Sequence, residues 1–252
     1  VVSMALRSVY SKARVYISLD HLWNILQPHG KCYTSKSTLD AFAKRLKQEG
    51  DINWNLAFHP YPSPLTDPNF WNDKVTNSDS TKQVTMKNLS YLTNYVSKHF
   101  RSDVRILLSE QGFTSVSYGT TNETLQAAAW AYAYYITEFN DKVDAFIMNR
   151  HVDHKQETSQ GLYLGVWTNK KGNLEYADKK KQIWNVFKYI DSAGSQKVSQ
   201  FALKSIGIKS WSSVIPGFNW KKFSSMGSYT SGKGTGFKTV TKPKNITNSV
   251  KN

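Results

Sequence analysis

A chain of 252 residues with 39% hydrophobic and 13% aromatic side chains can bury a full core, which excludes wholesale disorder. No apolar run approaches the ~18 residues of a membrane span, and Val1-Val-Ser-Met-Ala-Leu-Arg7 carries no cationic start followed by a long apolar segment, so no signal peptide is visible. A formal net charge of +15 invites a nucleic-acid reading, but the lysines are dispersed (Lys44, Arg45, Lys47; Lys179, Lys180, Lys181, Lys188) before gathering in the tail, so a solvated surface and no nucleic-acid partner are expected.

The chain lacks an initiator Met, which implies that residue 1 is not a natural start. The single cysteine, Cys32, excludes an internal disulfide and offers no zinc quartet. Nothing near it in sequence suggests a base that would activate it as a nucleophile.

Val2, Leu6, Val9 and Tyr10 fall near helical spacing, so residues 1–12 read as the end of a helix. Arg14 to Trp23 reads as a strand with polar groups at its end: Asp20, His21 and the aromatic Trp23. Ser37-Thr38 then offers an N-cap for a helix over 38–49, with Leu39, Phe42, Ala43 and Leu46 inward and Gly50 as its stop. The next strand, Asn53 to Tyr61, ends in His59 and Tyr61. A long loop rich in proline and aromatics follows, with Trp71 in it. A helix over 85–99 leads to Val104-Arg-Ile-Leu-Leu-Ser-Glu110.

That strand is apolar on both faces and ends in a carboxylate, as a central strand of a parallel sheet would if the acid were used there. Burying an acid is costly unless something uses or pairs it. Glu110 therefore either serves chemistry or caps a loop or pairs with a cation. Gln111 and Gly112 follow it. A strongly apolar helix over 123–139 and a strand Asp144 to His151, ending in Asn149, Arg150 and His151, come next. Gly161 to Trp167 and Leu174 to Tyr176 flank a hairpin turn at Lys171-Gly172-Asn173, and a helix spans 178–191.

Helix, then strand–helix four times, calls for an α/β fold with a parallel sheet and right-handed crossovers. Four strands ending in polar clusters on one edge, as at the active face of an eight-fold barrel, make half such a barrel. The expected division is a partial barrel over 1–191, a helical extension over 192–220 and an irregular basic tail rich in Gly, Ser, Thr and Lys over 221–252.

The strand ends gather Asp20, His21, Trp23, His59, Tyr61, Glu110, Gln111, Asn149 and His151, with Trp71 and Trp167 in loops. Aromatic platforms among carboxylates, amides and imidazoles suit a sugar. Glycoside hydrolysis needs two carboxyls, and Glu110 is the one convincingly placed. His21, His59, His151 and His154, with Asp153, raise a metal-dependent hydrolase as an alternative, but the spacing lacks the His-x-His that puts two imidazoles on one strand face. No metal and no cofactor are expected.

Ile17-Ser-Leu-Asp-His-Leu-Trp23, Leu56-Ala-Phe-His-Pro-Tyr61, Leu107-Leu-Ser-Glu-Gln-Gly112 and Gly161-Leu-Tyr-Leu-Gly-Val-Trp167 resemble the last four βα units of clan A glycoside hydrolases. Within that clan they look most like a bacterial glycoside-hydrolase-like family of unassigned function. The resemblance covers residues 1–191. It implies that Glu110 is the nucleophile of a retaining mechanism on an oligo- or polysaccharide, with His59, Tyr61 and Asn149 orienting it or the sugar. Trp23, Trp71 and Trp167 would line the cleft.

The clan's acid/base, a Glu usually preceded by Asn at the end of the fourth strand, has no counterpart, since Asn122-Glu123 sits at a helix start. The resemblance thus implies that the N-terminal half of the barrel, with its acid, lies upstream of residue 1. It also implies an extracellular or cell-envelope setting. A non-catalytic carbohydrate-binding module is the alternative that needs no second acid.

Overall fold

The computed structural model describes residues 2–26, 33–50 and 53–226; Cys32 and the stretch 227–252 lie outside them. The chain begins with helix α1 (Val2–Val9), then strand β1 (Tyr16–Asp20) and helix α2 (Ser35–Gln48). Strand β2 (Asn55–His59), helix α3 (Leu89–His99) and strand β3 (Ile106–Gln111) follow. A small hairpin, β4 (Val116–Ser117) and β5 (Thr120–Thr121), precedes helix α4 (Glu123–Glu138) and strand β6 (Val143–Met148). A single-turn helix α5 (Lys155–Thr158) and a second hairpin, β7 (Trp167–Asn169) with β8 (Ala177–Lys180), lead to α6 (Ile183–Tyr189), α7 (Ser195–Ile206) and α8 (Lys221–Ser224).

The main sheet has the order β1-β2-β3-β6 and is parallel throughout. Parallel pairing forces each return through a crossover, so every strand points the same way and all four C-terminal tips share one edge. Leu56, Phe58, Ile106 and Leu108 are fully buried against the helices. In α4, Ala127, Ala128, Ala129, Ala131 and Ala133 are buried, and their small size lets the helix lie close to the sheet on one side and to α7 on the other. Its N-cap, Asn122, accepts from the Leu125 N–H.

The opposite face of the sheet is open toward its edges, while Ala57 at its centre is buried. Ser18, Ala145 and Ile147 are exposed there, Ile147 at 47%. At the N-terminal end of this face Asp144 of β6 accepts from Arg14 (2.6 Å), from Tyr16 of β1 (3.0 Å) and from Arg105 (2.7 Å). Flat strands would hold β1 and β6 about 14 Å apart, three strand spacings, so this contact goes with a sheet curled toward its open side. Burial pushes the Asp144 carboxyl up, but Arg105, Tyr16 and Arg14 outweigh it and hold the group below its usual range.

Several boundaries differ from the sequence-based expectations. Helix α2 starts at Ser35 with Thr34, not Ser37 or Thr38, as its cap, because the Thr34 hydroxyl accepts from the Ser37 N–H. Residues 161–166 and 174–176 are not strands. Gly165 runs so close to the backbone of Val152 and Asp153 that a Cβ there would meet Asp153 N at 2.3 Å, and the hairpin forms further out, at Trp167–Asn169 and Ala177–Lys180. That hairpin takes residues 177–180, so the following helix begins at Ile183 rather than 178. Phe223, in the stretch expected to be tail, is buried against Tyr134 and Tyr135 of α4. Lys181, expected on a helix exterior, is buried and pairs with Asp153 at 2.7 Å.

Candidate active site at the strand tips

The parallel register sets the first relations. Asp20 of β1 lies level with His59 of β2, and β2 pairs with β3 through Leu56–Ile106 and Ala57–Leu107. Extending that register puts His59 level with Ser109, and their side chains meet, Nε2 to Oγ at 3.0 Å. Between Leu108 and Gln111 the β3–β6 pairing shifts. The irregularity turns Gln111 into the core and leaves Glu110 half-exposed at the tip.

Glu110 is held from two strands. The Tyr61 hydroxyl donates to Glu110 Oε1 at 2.7 Å, and Asn149 Nδ2 donates to the Tyr61 oxygen (2.9 Å) and to Glu110 Oε1 (3.3 Å). His59 Nδ1 stands 3.8 Å from the other carboxylate oxygen, Oε2. One oxygen is therefore fixed by two donors while the second has no hydrogen bond among the described residues, and the Glu110 side chain is 45% exposed. Tyr61 is buried; burial, then its bond to Glu110, drives its phenol well above the usual range, so it stays a donor at any working pH.

Gly112 is what lets Asn149 come this close. A Cβ at Gly112 would lie 2.1 Å from the Asn149 carbonyl oxygen, so a side chain there would force the β6 tip away from β3. Behind the tips, Gln126 of α4 donates to the carbonyls of Phe113, Tyr163 and Gly165, fastening the loops that follow β3 and β6. Lys181 adds bonds to Ser115 Oγ and the Tyr163 carbonyl (both 3.0 Å), and Gly165 N–H donates to Asp153. Burial lowers the lysine's proton affinity and raises the carboxyl's, and their 2.7 Å contact works against both shifts.

The remaining expected residues divide. Asp20 is at its strand tip, two spacings (about 10 Å) from β3, and contacts His21. Burial raises the Asp20 carboxyl, but His21 and the backbone N–H groups of Leu22 and His21 bring it below its ordinary value. His151 is exposed next to Arg150, beside a depression of about 430 Å³ that Glu175 and Tyr176 also line. Trp167 is half-buried under Lys180, whose Nζ lies 5.3 Å from the ring centre.

Two residues are not ligand platforms. Trp23 has no exposed surface; it sits edge-on to Phe58, Tyr91 and Tyr95 and donates to the Tyr91 hydroxyl, so it is core. Gln111 is likewise fully buried. Trp71 packs on Phe70 and on Tyr132 of α4 and stays half-buried, as Trp167 does. Asp153, weighed as a metal ligand, is spent on Lys181, and no group of three or more His, Cys, Asp or Glu that could hold a metal exists among the described residues.

Ser109 and Glu157 escaped notice in the sequence, and Arg150 was named only as a polar residue at a strand end. Arg150 donates to Glu157 at 2.8 Å, and Glu157 is close enough to act on Tyr61. Only the register of paired strands signals Ser109; the Arg150–Glu157 pair, seven residues apart across a turn, leaves no periodic trace.

A model of a family described as of unknown function, DUF5722, matches residues 1–214. No protein of curated function matches the sequence. Among solved structures the chain is similar to a glucosidase from Croceicoccus marinus, at 15% identity over 80% of this chain and 34% of that one (TM-score 0.46). It is also similar to a family 39 glycoside hydrolase from Bacteroides cellulosilyticus, at 20% identity over 51% of this chain and 26% of that one (TM-score 0.37). A hyperthermophilic β-glucosidase from Pyrococcus furiosus matches at 12% identity over 77% and 45% (TM-score 0.44). Glycosidases thus stand among the solved structures this chain is similar to, and it spans less than half the length of each of these three.

Proposed function

We propose that this chain, which belongs to the family of unknown function DUF5722, supplies the nucleophile side of a glycan-cleaving site. Glu110 attacks the anomeric carbon and Tyr61 and Asn149 hold it in position. The observation that carries this is the asymmetric carboxylate: Oε1 bound by Tyr61 at 2.7 Å and by Asn149 at 3.3 Å, Oε2 without a hydrogen bond among the described residues on a side chain 45% exposed. A carboxylate fixed in one rotamer with one oxygen uncommitted is what in-line attack requires.

A retaining mechanism needs a second carboxyl about 5–5.5 Å away to protonate the leaving oxygen. Asp20 is occupied with His21 and Glu157 with Arg150. The acid is therefore assigned to the half of the barrel that covers the open face of the sheet. Parallel sheets are almost always covered on both faces, and both outer edges of this one, at β1 and β6, lack a strand partner among the described residues. The chain is thereby the closing half of an eight-stranded barrel, and an oligo- or polysaccharide lies across the tips.

In the natural protein, Glu110→Gln is expected to lower turnover of aryl glycosides by about 1,000-fold or more while the melting temperature stays within a few degrees. Turnover at the parent rate would end the assignment. A second reading, glycan binding without cleavage, is favoured by the engagement of Asp20 and Glu157; it predicts saturable glycan binding with no turnover before or after the substitution.

A further inference from the structure

A groove of about 470 Å³ lies between α2 and α3, lined by Lys44, Lys47, Tyr95, His99 and Arg101, with Trp54 in its floor. Trp54 immediately precedes β2, and Arg101 lies between α3 and β3, so the groove sits near the N-terminal ends of these strands, away from the Glu110 tips.

Two of its lining cations are not paired among the described residues. Asp40, the one acid in the lining, already accepts from Lys36 Nζ at 2.7 Å and from the Tyr95 hydroxyl at 2.6 Å. Lys44 and Lys47 are exposed, three residues apart on one helix face, and no acid pairs with either among the described residues. Arg101 is fixed by Asp103 and Asn53, and His99 stacks on Tyr95 at 4.3 Å. Cations near helix C-termini complement the helix dipoles, but two helix ends account for about one unit of negative charge, against Lys44 and Lys47, two permanent cations with no paired acid among the described residues. Trp54 and Tyr95 are only 3% and 6% exposed, so neither gives a ring face on which a base or a pyranose could stack. What the groove offers is positive charge and N–H donors in a space the size of one or two sugar units.

We propose that this groove binds an anionic sugar unit, carrying a carboxylate or a sulfate ester, of an acidic polysaccharide, and so anchors the chain to a polymer away from the strand tips. The choice of a saccharide rests on the glycan reading above; the binding itself needs no turnover, so it stands or falls separately from Glu110.

The test is fluorescence anisotropy of the protein with labelled oligogalacturonate and with a labelled heparin oligosaccharide at ~150 mM salt, where nonspecific charge attraction is largely screened. Lys44→Glu with Lys47→Glu is expected to weaken binding of at least one probe by about tenfold or more. Lys170→Glu with Lys171→Glu, the same charge change in the exposed β7–β8 turn, is expected to leave it within about threefold. Equal weakening by both pairs would overturn the proposal in favour of net charge alone, and no binding of either probe would overturn it outright. Displacement of both probes by duplex DNA at lower concentration than by unlabelled glycan, lost in the α2 variant, would assign the groove to nucleic acid instead. Binding of oligogalacturonate assigns the ligand group to a carboxylate; binding of heparin, which carries both groups, without oligogalacturonate assigns it to a sulfate.

Discussion

The Tyr61 hydroxyl donates to Glu110 and accepts from Asn149, so one buried atom sets the rotamers of both. Removing it as Tyr61→Phe leaves the ring in place and frees Glu110 Oε1 from its shorter bond. A hydrogen bond to a charged acceptor contributes about 1.5–3 kcal/mol, which puts the expected loss at about 10- to 100-fold in kcat/KM. Most of it should fall in kcat, since the substrate gains or loses no contact of its own. Steady-state kinetics of the natural protein checks this; a KM effect alone would place Tyr61 against the sugar rather than the carboxylate. At this scale much was legible. Glu110, Tyr61, His59 and Asn149 were all marked by their place at strand ends, because a polar residue closing an apolar strand is locally conspicuous. Trp23 was not, since a tryptophan three residues past a strand tip looks the same in sequence whether it turns outward or into the core.

The loop between β2 and α3 carries the element with the clearest pH signature. Asp73 is buried, and burial raises its carboxyl to about 6 despite bonds from Thr85 and the Ser63 N–H. A carboxyl whose folded pKa lies above its unfolded value binds its proton more tightly when folded. Its favourable contribution is complete below about pH 4 and is lost as the pH rises through 6. Asp73→Asn, neutral at all pH, is therefore expected to be more stable than the parent by about 1–3 kcal/mol at pH 7.5 and by nearly nothing at pH 4. Urea melts at the two pH values decide it; a difference that does not change with pH would show that the carboxyl is ionised in the fold without cost.

Elements were legible where periodicity is strong and long: α4 was expected over 123–139 and spans Glu123–Glu138. They were not where a tertiary contact overrides the local pattern. Gly161 to Trp167 reads as an apolar strand leading into a hairpin turn, yet Gly165 passes close against Val152 and Asp153 and the strand forms only from Trp167. Lys181 reads as one more surface lysine in a run of three, and only the fold brings Asp153, Ser115 and the Tyr163 carbonyl around it.

On the scale of the whole molecule, strand–helix alternation was enough to anticipate a parallel sheet with its polar tips along one edge. The curl that goes with the Asp144 contacts was not, because Arg14 and Tyr16 lie about 130 residues from Asp144 and share no pattern with it. The open face, with Ser18, Ala145 and Ile147 exposed, is the physical reason for assigning the missing acid to a covering half of the barrel.

The proposed role then requires Glu110 to reach an anomeric carbon once the covering half closes the barrel. Incubating the natural protein with a panel of 2-deoxy-2-fluoro glycosides, which slow release of the glycosyl-enzyme, and sequencing its peptides by mass spectrometry tests this directly. One fluoroglycosyl group on the peptide containing Ser109-Glu110, fragmenting to place it on Glu110, is the expected result; glycan turnover with the label on another carboxylate would contradict it.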